Sequence, residues 1–502
     1  MENLDSLIHG FGIALTGYHI TLMVVGVLLG LVVGVLPGLG APNGVSLLLP
    51  LTFGMQPVSA IILLSSMYWG ALFGGSVTSI LFNIPGEPSS VATTFDGYPM
   101  ARDGRASTAL ATAFGSAAIG ALVGVVLITC VASWVAQAAL AFGPAEYFAV
   151  YFLAFASFVG MGGGAPMKTV VSLAIGFAIA AIGIDTVSGA VRLNFGVDEL
   201  VKGVSFVVAV MGLFGIGELL LAVEEDVRAR SVASRVHWGE VFRALARLPR
   251  HWVALVRSVA VGCWMGITPG GPTAASFMSY GLAKRFSPRR AYFGQGEPEG
   301  IIAPEAADHA AGTSALLPML SLGIPGSATA AVMLGGLMIW GLNPGPMLFI
   351  EQTDFVWGLI ASMYLGNIVA VVLVILTVPI FAALMRVPFF IIAPLIFIVC
   401  VVGAYSVSNS QMDVVLMMGF GLLGYLFKKL DYPIAPLVLA IVIGDKAEDA
   451  FRQSMLLSNG SLRIFVANPL VTTLVLIGFT LLMLPLVQRL AGWRTRRAAI
   501  ID

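Results

Sequence analysis

The sequence predicts an all-α polytopic membrane protein of two inverted-topology repeats with re-entrant or broken helices, and three observations carry that reading. Hydrophobic residues make up 58% of the 502 positions and charged residues only 10%, against roughly 25% charged in an average soluble domain. Apolar sequence is interrupted by Pro-Gly breaks that come in matching pairs. Gly34-Val35-Leu36-Pro37-Gly38 returns as Gly266-Ile267-Thr268-Pro269-Gly270, and Asn83-Ile84-Pro85-Gly86-Glu87-Pro88-Ser89 returns as Gly323-Ile324-Pro325-Gly326-Ser327-Ala328-Thr329. Loops in equivalent positions of the two copies differ in charge, in a sense that reverses from one loop to the next, which places them on opposite sides of a membrane.

Apolar runs near residues 11–36, 58–84, 108–142, 146–183, 200–222, 253–283, 309–341, 355–385, 388–427, 432–445 and 464–488 supply about 10–12 transmembrane segments at about 20 residues each, several runs being too long for one helix. Met1 to Gly10 holds Glu2 and Asp5 and no basic residue, so no cleaved signal peptide is expected. Basic and acidic residues balance at 26 each, and without a basic stripe nucleic acid is excluded as a partner. Cys130, Cys263 and Cys400 stand alone in apolar segments, a pattern of packing rather than of a disulfide frame or a metal site.

Seven arginines between Arg228 and Arg257, a second group at Lys284, Arg285, Arg289 and Arg290, and a third at Arg489, Arg494, Arg496 and Arg497 read as cytoplasmic. The segment between the first two groups then starts and ends on one side, so it dips in and returns at Pro269-Gly270. Each arm of about a dozen residues reaches roughly 18 Å, about the middle of a ~30 Å hydrocarbon slab. The loop Leu51 to Ala60 is uncharged, whereas its counterpart Leu282 to Ala291 carries four basic residues. The next loops reverse this: Arg102 and Arg105 follow Tyr98-Pro99-Met100, and Glu351 and Asp354 follow Gly345-Pro346-Met347. The organisation expected is a first repeat at 1–222, an Arg-rich connector at 223–257 that forms an amphipathic helix on anionic membrane lipid, and a second repeat with C-terminal helices at 258–502. Lys168, Asp185 and Arg192 read as loop residues, and the polar stretch Gly444 to Ser454 as a connector or a surface helix for a partner.

Proline removes a backbone donor and glycine frees φ, so each break leaves peptide groups that lipid cannot satisfy. After each break the chain turns small and hydroxyl-rich, which suits helix starts whose free N–H groups bind anions. Four such N-termini at about half an elementary charge each offer about +2 to a shared guest, which fits a carboxylate-rich small molecule better than buried arginine or lysine would. The candidate solute-binding residues are Gly38, Gly40, Asn43, Ser46, Pro85, Gly86, Ser89, Ser90, Gly270, Thr273, Ser276, Pro325, Gly326, Ser327 and Thr329. Carbonyls ahead of the breaks, at Leu36, Asn83, Thr268 and Gly323, are candidates to hold a coupling cation, with Na+ first and H+ as the alternative. Glu305 and Asp308 join that cation set. No catalytic residue, resident metal or cofactor is expected.

Leu36-Pro37-Gly38-Leu39-Gly40, the run Tyr68 to Arg105 with Asn83-Ile84-Pro85-Gly86 and Asp96-Gly97-Tyr98-Pro99-Met100, and the run Glu299 to Ala330 resemble the large membrane subunit of tripartite tricarboxylate transporters over roughly residues 20 to 480. The resemblance implies a multi-pass protein of the bacterial inner membrane. It further implies sodium-coupled import of citrate and other di- or tricarboxylates with a small four-helix membrane subunit and a periplasmic solute-binding protein. The repeats then work as an elevator-like carrier, one unit moving against a scaffold, and such mobile elements commonly need an oligomeric support.

The chain departs from that family's usual pair of asparagines at Asp308-His309. Glu305, Asp308 and His309 share one helical face by their i, i+3 and i+4 spacing, and the expectation is acidic residues at a helix start in a wet cavity, with a proton-linked or altered ion site as the alternative. Re-entrant segments also occur in channels and scaffolds, which is the competing class. A membrane-embedded enzyme would need an HExxH, a Gly-x-Ser-x-Gly or paired catalytic carboxylates; the one dense acidic cluster, Glu297, Glu299, Glu305 and Asp308, lies among Pro, Gly and Ala, and neither motif is present.

Overall fold

Each Pro-Gly break in the sequence stops a helix in the structure. The computed structural model describes residues 2–36, 39–161, 166–185, 189–224, 237–268, 271–384 and 389–498, and nearly all of them are helical. Helices α1 (Glu2–Ala14) and α2 (Gly17–Val35) meet at Thr16, whose hydroxyl caps α2 by accepting the His19 amide. α2 stops just before the first Pro-Gly pair, and α3 (Gly40–Leu48) restarts on Gly40 at φ +60°. α4 (Pro57–Phe82) opens on a proline, where the missing N–H has no helical partner to lose, and closes on Asn83 in the left-handed region at φ 57°. A short turn Pro88–Ser90 leads to α5 (Val91–Met100) and α6 (Ala106–Ala139).

The chain continues through α7 (Pro144–Met161), α8 (Pro166–Ala180) and the paired strands β1 (Gly183–Ile184) and β2 (Val191–Arg192), antiparallel with Gly183 opposite Arg192. Next come α9 (Phe206–Val210), α10 (Gly217–Glu224), α11 (Trp238–Arg247) and α12 (Trp252–Ile267). α13 (Gly271–Phe286) starts on a second left-handed glycine, Gly271 at φ +65°. α14 (Pro298–Ser314) and α15 (Leu316–Leu322) end on left-handed Gly323, and α16 (Ala328–Ile339) follows the fourth break. The remainder is α17 (Leu348–Glu351), α18 (Thr353–Leu384), α19 (Phe389–Ser408), α20 (Gln411–Lys429), α21 (Ile434–Leu457), α22 (Ile464–Ala467) and α23 (Pro469–Ala498).

The chain divides into two compact units. One comprises residues 1–139, 205–267 and 271–426, and the other 140–204, 268–270 and 427–502. Within the first, α2 lies on α4 with the backbones almost touching: a Cβ built on Gly30 would fall 2.1 Å from the Met67 carbonyl oxygen, and one on Gly34 2.0 Å from that of Ala71. α12 lies on α14 in the same way, Gly262 against Ala307 and Gly266 against Ala311, at 2.4 Å each. One offset along the chain relates both α2 glycines to both α12 glycines, and one offset relates Met67 and Ala71 to Ala307 and Ala311. Small residues at such crossings let helices associate where lipid offers no hydrophobic gain. In the second unit, Asp185, Arg192, Glu448 and Arg452 form an ion-pair network with contacts of 2.7 to 3.4 Å.

Among the described residues four helices are long and apolar enough to cross a membrane, Gly17–Val35, Pro57–Phe82, Pro88–Ala139 and Thr353–Val378, and shorter apolar helices accompany them. The protein is thus an all-α, multi-pass membrane protein. Most of the run at 108–142 belongs to a single 34-residue helix α6, which no proline interrupts. The stretch 444–454, expected as a connector or a surface helix, is helical and continues α21, and Lys168, expected in a loop, lies in α8, with its ammonium donating to the Leu430 carbonyl at 2.6 Å. The amphipathic helix expected in the connector is α11, which buries Val241 and Ala244 and exposes Trp238 and Phe242. Arg228, Arg230 and Arg235 lie outside the described residues.

Candidate solute site at the helix breaks

The geometry of the breaks repeats between the halves. Ile84 N–H reaches back to the Thr78 carbonyl at 3.4 Å and Ile324 N–H to the Pro318 carbonyl at 3.2 Å, each across a left-handed residue, Asn83 or Gly323. Gly86 and Gly326 then press against the preceding broken helix: a Cβ on Gly86 would lie 1.8 Å from the Gly34 oxygen, and one on Gly326 2.3 Å from the Gly266 oxygen. The residues that follow, Glu87 and Ser327, are both N-caps. Only a residue without a side chain fits where two backbones come this close, which explains the glycine at Gly86 and Gly326.

The helix starts converge. Gly40 faces the Glu87 carboxylate, with 3.3 Å between a built Cβ and Oε2, and the Ala41 amide at the start of α3 donates to Glu87 Oε1. Gly271 faces Ser327, with 3.6 Å to its Cβ. α13 packs on the Pro88–Ser90 turn, and α16 packs on α3, so the halves interleave. Tyr68 of α4, 1% exposed, sits among them beside the hydroxyls of Ser327 and Thr329 and within electrostatic reach of Asp308 and Glu87. Its hydroxyl is in hydrogen-bond geometry with none of them.

The expected solute residues fall into distinct groups. Gly40, Gly86, Ser89, Gly326, Ser327 and Thr329 are buried at the convergence. Pro85 and Pro325 hold the breaks open, the first partly and the second fully buried. Ser90 is committed to the local fold: it takes the Glu87 amide at 3.3 Å, donates to the Glu87 carbonyl at 2.9 Å and bonds Ser79. Ser46 donates to the Asn43 carbonyl within α3, and Asn43 is buried beside it. Ser276 is buried on α13 with its hydroxyl unpartnered, whereas Thr273 is on the exposed face of that helix. Gly38 and Gly270 lie outside the described residues.

Of the expected cation carbonyls, that of Leu36 accepts the Leu39 amide at 3.2 Å. Asn83 is exposed, Gly323 buried and Thr268 partly buried. Glu305 and Asp308 differ sharply. Glu305 accepts hydroxyls from Ser76 at 2.7 Å and Thr93 at 2.5 Å, tying α4 and α5 to α14. Asp308, 1% exposed, has both oxygens without a hydrogen-bond partner, next to Ser89, Glu305 and Glu87. Neither is at a helix start: α14 begins at Pro298, so the dipole that would favour acidic residues there has faded. Glu299 does occupy the first turn, where the His251 imidazole at 3.3 Å holds its carboxyl below the usual carboxylate range. Among the described residues no group of three His, Cys, Asp or Glu side chains could hold a metal ion.

Contacts across the centre are reciprocal. Trp69 Nε1 of α4 donates to Thr313 Oγ1 of α14 at 3.3 Å, and the His309 ring of α14 meets the Phe73 ring of α4 at 4.4 Å between centroids. The offset that relates Ala71 to Ala311 also relates Trp69 to His309 and Phe73 to Thr313. On another side, Asp96 of α5 is enclosed by the loop leading into α14, accepting the amides of Gly294, Gly296 and Glu297 at 2.8 to 2.9 Å and the Tyr280 hydroxyl at 3.0 Å. Sequence reasoning did not place Glu87, Tyr68 or Asp96 among the candidate site residues, although all three fall in the run Tyr68 to Arg105 and Glu87 directly follows Pro-Gly.

These features define a polytopic α-helical membrane protein whose paired broken helices bring their N-termini together. Residues 20–439 match the tripartite tricarboxylate transporter TctA family, and the chain belongs to that family. A relative from Agrobacterium vitis, described as "Uncharacterized 52.8 kDa protein in TAR-I ttuC' 3'region", is 35% identical over 501 residues, 99% of each chain. Another from that organism, "Uncharacterized protein in TAR-II ttuC' 3'region", is 34% identical over 234 residues, 46% of this chain and 97% of its own. No solved structure matches the chain.

Proposed function

We propose that the protein imports di- or tricarboxylates across the bacterial inner membrane as the large subunit of a tripartite system, with no enzymatic step. The observation that carries this reading is the convergence of four broken-helix starts in a chain of this family. Helix N-termini that meet at one point attract an anion without any fixed cation. The partners are a small four-helix membrane subunit and a periplasmic solute-binding protein. Residues 1–222 and 258–502 act as inverted repeats joined by 223–257, the reciprocal contacts of α4 and α14 being the kind a two-fold relation produces. One repeat-derived unit moves as an elevator against a scaffold that an oligomer steadies.

Sodium is the coupling ion, since carbonyls freed ahead of the breaks can hold a cation that offsets the charge of the arriving carboxylate. The test is uptake of labelled citrate, malate and tartrate by proteoliposomes containing this chain and its two partners. Saturable uptake that needs the binding protein and collapses without a sodium gradient is expected. Uptake that never saturates would mark a channel, and absence of uptake for every carboxylate would overturn the reading.

A further inference from the structure

The two halves build the same joint and fill it differently. After Gly86 comes Glu87, whose carboxylate lies against Gly40 and takes the Ala41 amide in the first turn of α3. After Gly326 comes Ser327, whose hydroxyl turns back on its own helix to accept the Ala330 amide at 3.1 Å, leaving only its Cβ toward Gly271 at the start of α13. The first helix start therefore already holds a carboxylate, in the arrangement that helix N-termini favour. The second holds none, and α13 is 16 residues long, enough for a full dipole. An independent observation points at the same place: the Tyr68 hydroxyl, 1% exposed, lies beside Ser327 and Thr329 in hydrogen-bond geometry with neither. A buried donor of this kind is costly unless something completes it.

We propose that Glu87 is a built-in carboxylate filling the first of two equivalent seats, and that the second seat, bounded by Gly271, Ser327, Thr329 and Tyr68, receives one carboxylate group of the solute. The proposal deepens the carrier reading and rests on it for the identity of the guest as a solute. Glu87 shows what the seat accepts: a single planar carboxylate, received by backbone amides at a helix start. Tyr68 adds a hydroxyl donor from α4 that the notched Gly312 leaves room for, a Cβ there coming within 2.9 Å of it. The two joints together thus offer the solute one open seat, and the remaining carboxylates of a di- or tricarboxylate are held elsewhere.

Formate serves as the probe because it is the bare group the seat would take, whatever the solute. The full-length chain in lipid nanodiscs is titrated with formate and its thermal midpoint followed. A saturable rise is expected in the unaltered protein. Ser327→Glu, which gives the second joint the side chain of the first, should abolish the rise while the starting midpoint holds or increases. Glu87→Ala should lower the starting midpoint and add a second, formate-restored rise. Should Ser327→Glu not fold, Tyr68→Phe carries the test, with formate affinity weakened roughly tenfold. A formate response that is absent from the unaltered protein, or is unchanged by Ser327→Glu and by Tyr68→Phe, overturns the seat. If citrate uptake persists in that case, the carrier reading survives, and if uptake is also absent, both fail.

Discussion

The α2–α4 crossing and the α12–α14 crossing share a plan and differ in material. In the first, glycines face each other from both helices: Gly30 and Gly34 on α2, and Gly70 and Gly74 on α4, the last two placing a built Cβ 2.3 and 2.8 Å from α2 backbone oxygens. In the second, Gly262 and Gly266 meet alanines, and α14 spends its other faces on Glu305, Asp308 and His309. The difference teaches that helix crossings built on one plan need not share work. The first crossing is a close backbone weld, and the second keeps slightly more room and carries most of the polar chemistry.

The sharpest way to break that comparison is to add a methyl group at matching positions. Gly34→Ala would put its Cβ 2.0 Å from the Ala71 oxygen and Gly86→Ala 1.8 Å from the Gly34 oxygen, so whole helices must part. A loss of about 3 kcal/mol or more is expected, read as lost monodisperse protein on gel filtration in detergent. Gly266→Ala, 2.4 Å from the Ala311 oxygen and 2.1 Å from the Ser314 hydroxyl, which can rotate away, and Gly326→Ala, 2.3 Å from the Gly266 oxygen, should lose less, about 1 to 3 kcal/mol, and still yield protein with a lowered thermal midpoint. Gly12→Ala and Gly281→Ala, with nothing within 4 Å of the new atom, should be neutral or slightly stabilising, since alanine is the better helix former. Equal losses at Gly34 and Gly266 would show the two crossings to be equivalent after all.

A smaller effect tests how the first half supports the second. Glu305 of α14 accepts one hydroxyl from α4 and one from α5, so the carboxylate is the knot between halves. Glu305→Gln keeps one acceptor and turns an amide N–H2 toward the other hydroxyl. A loss of about 1.5 to 3 kcal/mol is expected, the range for hydrogen bonds to charged groups. Ser76→Ala, removing one donor, should cost less, and the thermal midpoints of the two variants should rank in that order. A Glu305→Gln protein as stable as the unaltered one would mean the hydroxyl contacts do not join the halves.

The helix class and the four break positions were legible because proline and glycine act locally: wherever they fall together, a helix must stop. The pairing of the breaks was legible because repeated sequence makes repeated geometry, down to left-handed Asn83 and Gly323. Glu305, Asp308 and His309 were visible as one helical face. Their burial and the opposite fates of Glu305 and Asp308 were not, since these depend on hydroxyls more than 200 residues away, at Ser76 and Thr93. Tyr68 carried no signal, being one aromatic in an apolar run whose meaning comes from four other segments folding around it. The polar stretch 444–454 left a connector and a surface helix both open for a related reason. Charge there fits either, but Glu448 is paired with Arg192 and Arg452, and paired charge on one helical face is compatible with an uninterrupted helix.

The finest test compares two serines at the helix starts, the N-cap Ser327 and Ser90, three residues after the N-cap Glu87. Ser327 closes α16 with one bond, from the Ala330 amide, and Ser90 closes the turn after the second break with bonds to the Glu87 amide, the Glu87 carbonyl and Ser79. A single lost cap costs about 1 kcal/mol. Ser327→Ala should therefore lower the thermal midpoint only slightly. Ser90→Ala removes the cap and also frees the backbone that holds Glu87 in place, so its loss should exceed that of Ser327→Ala and should grow no further when combined with Glu87→Ala. Residues in contact through one network lose their independence in this way. Strict additivity of Ser90→Ala and Glu87→Ala would show instead that Ser90 merely ends a turn, and that the carboxylate finds the α3 amide without its help.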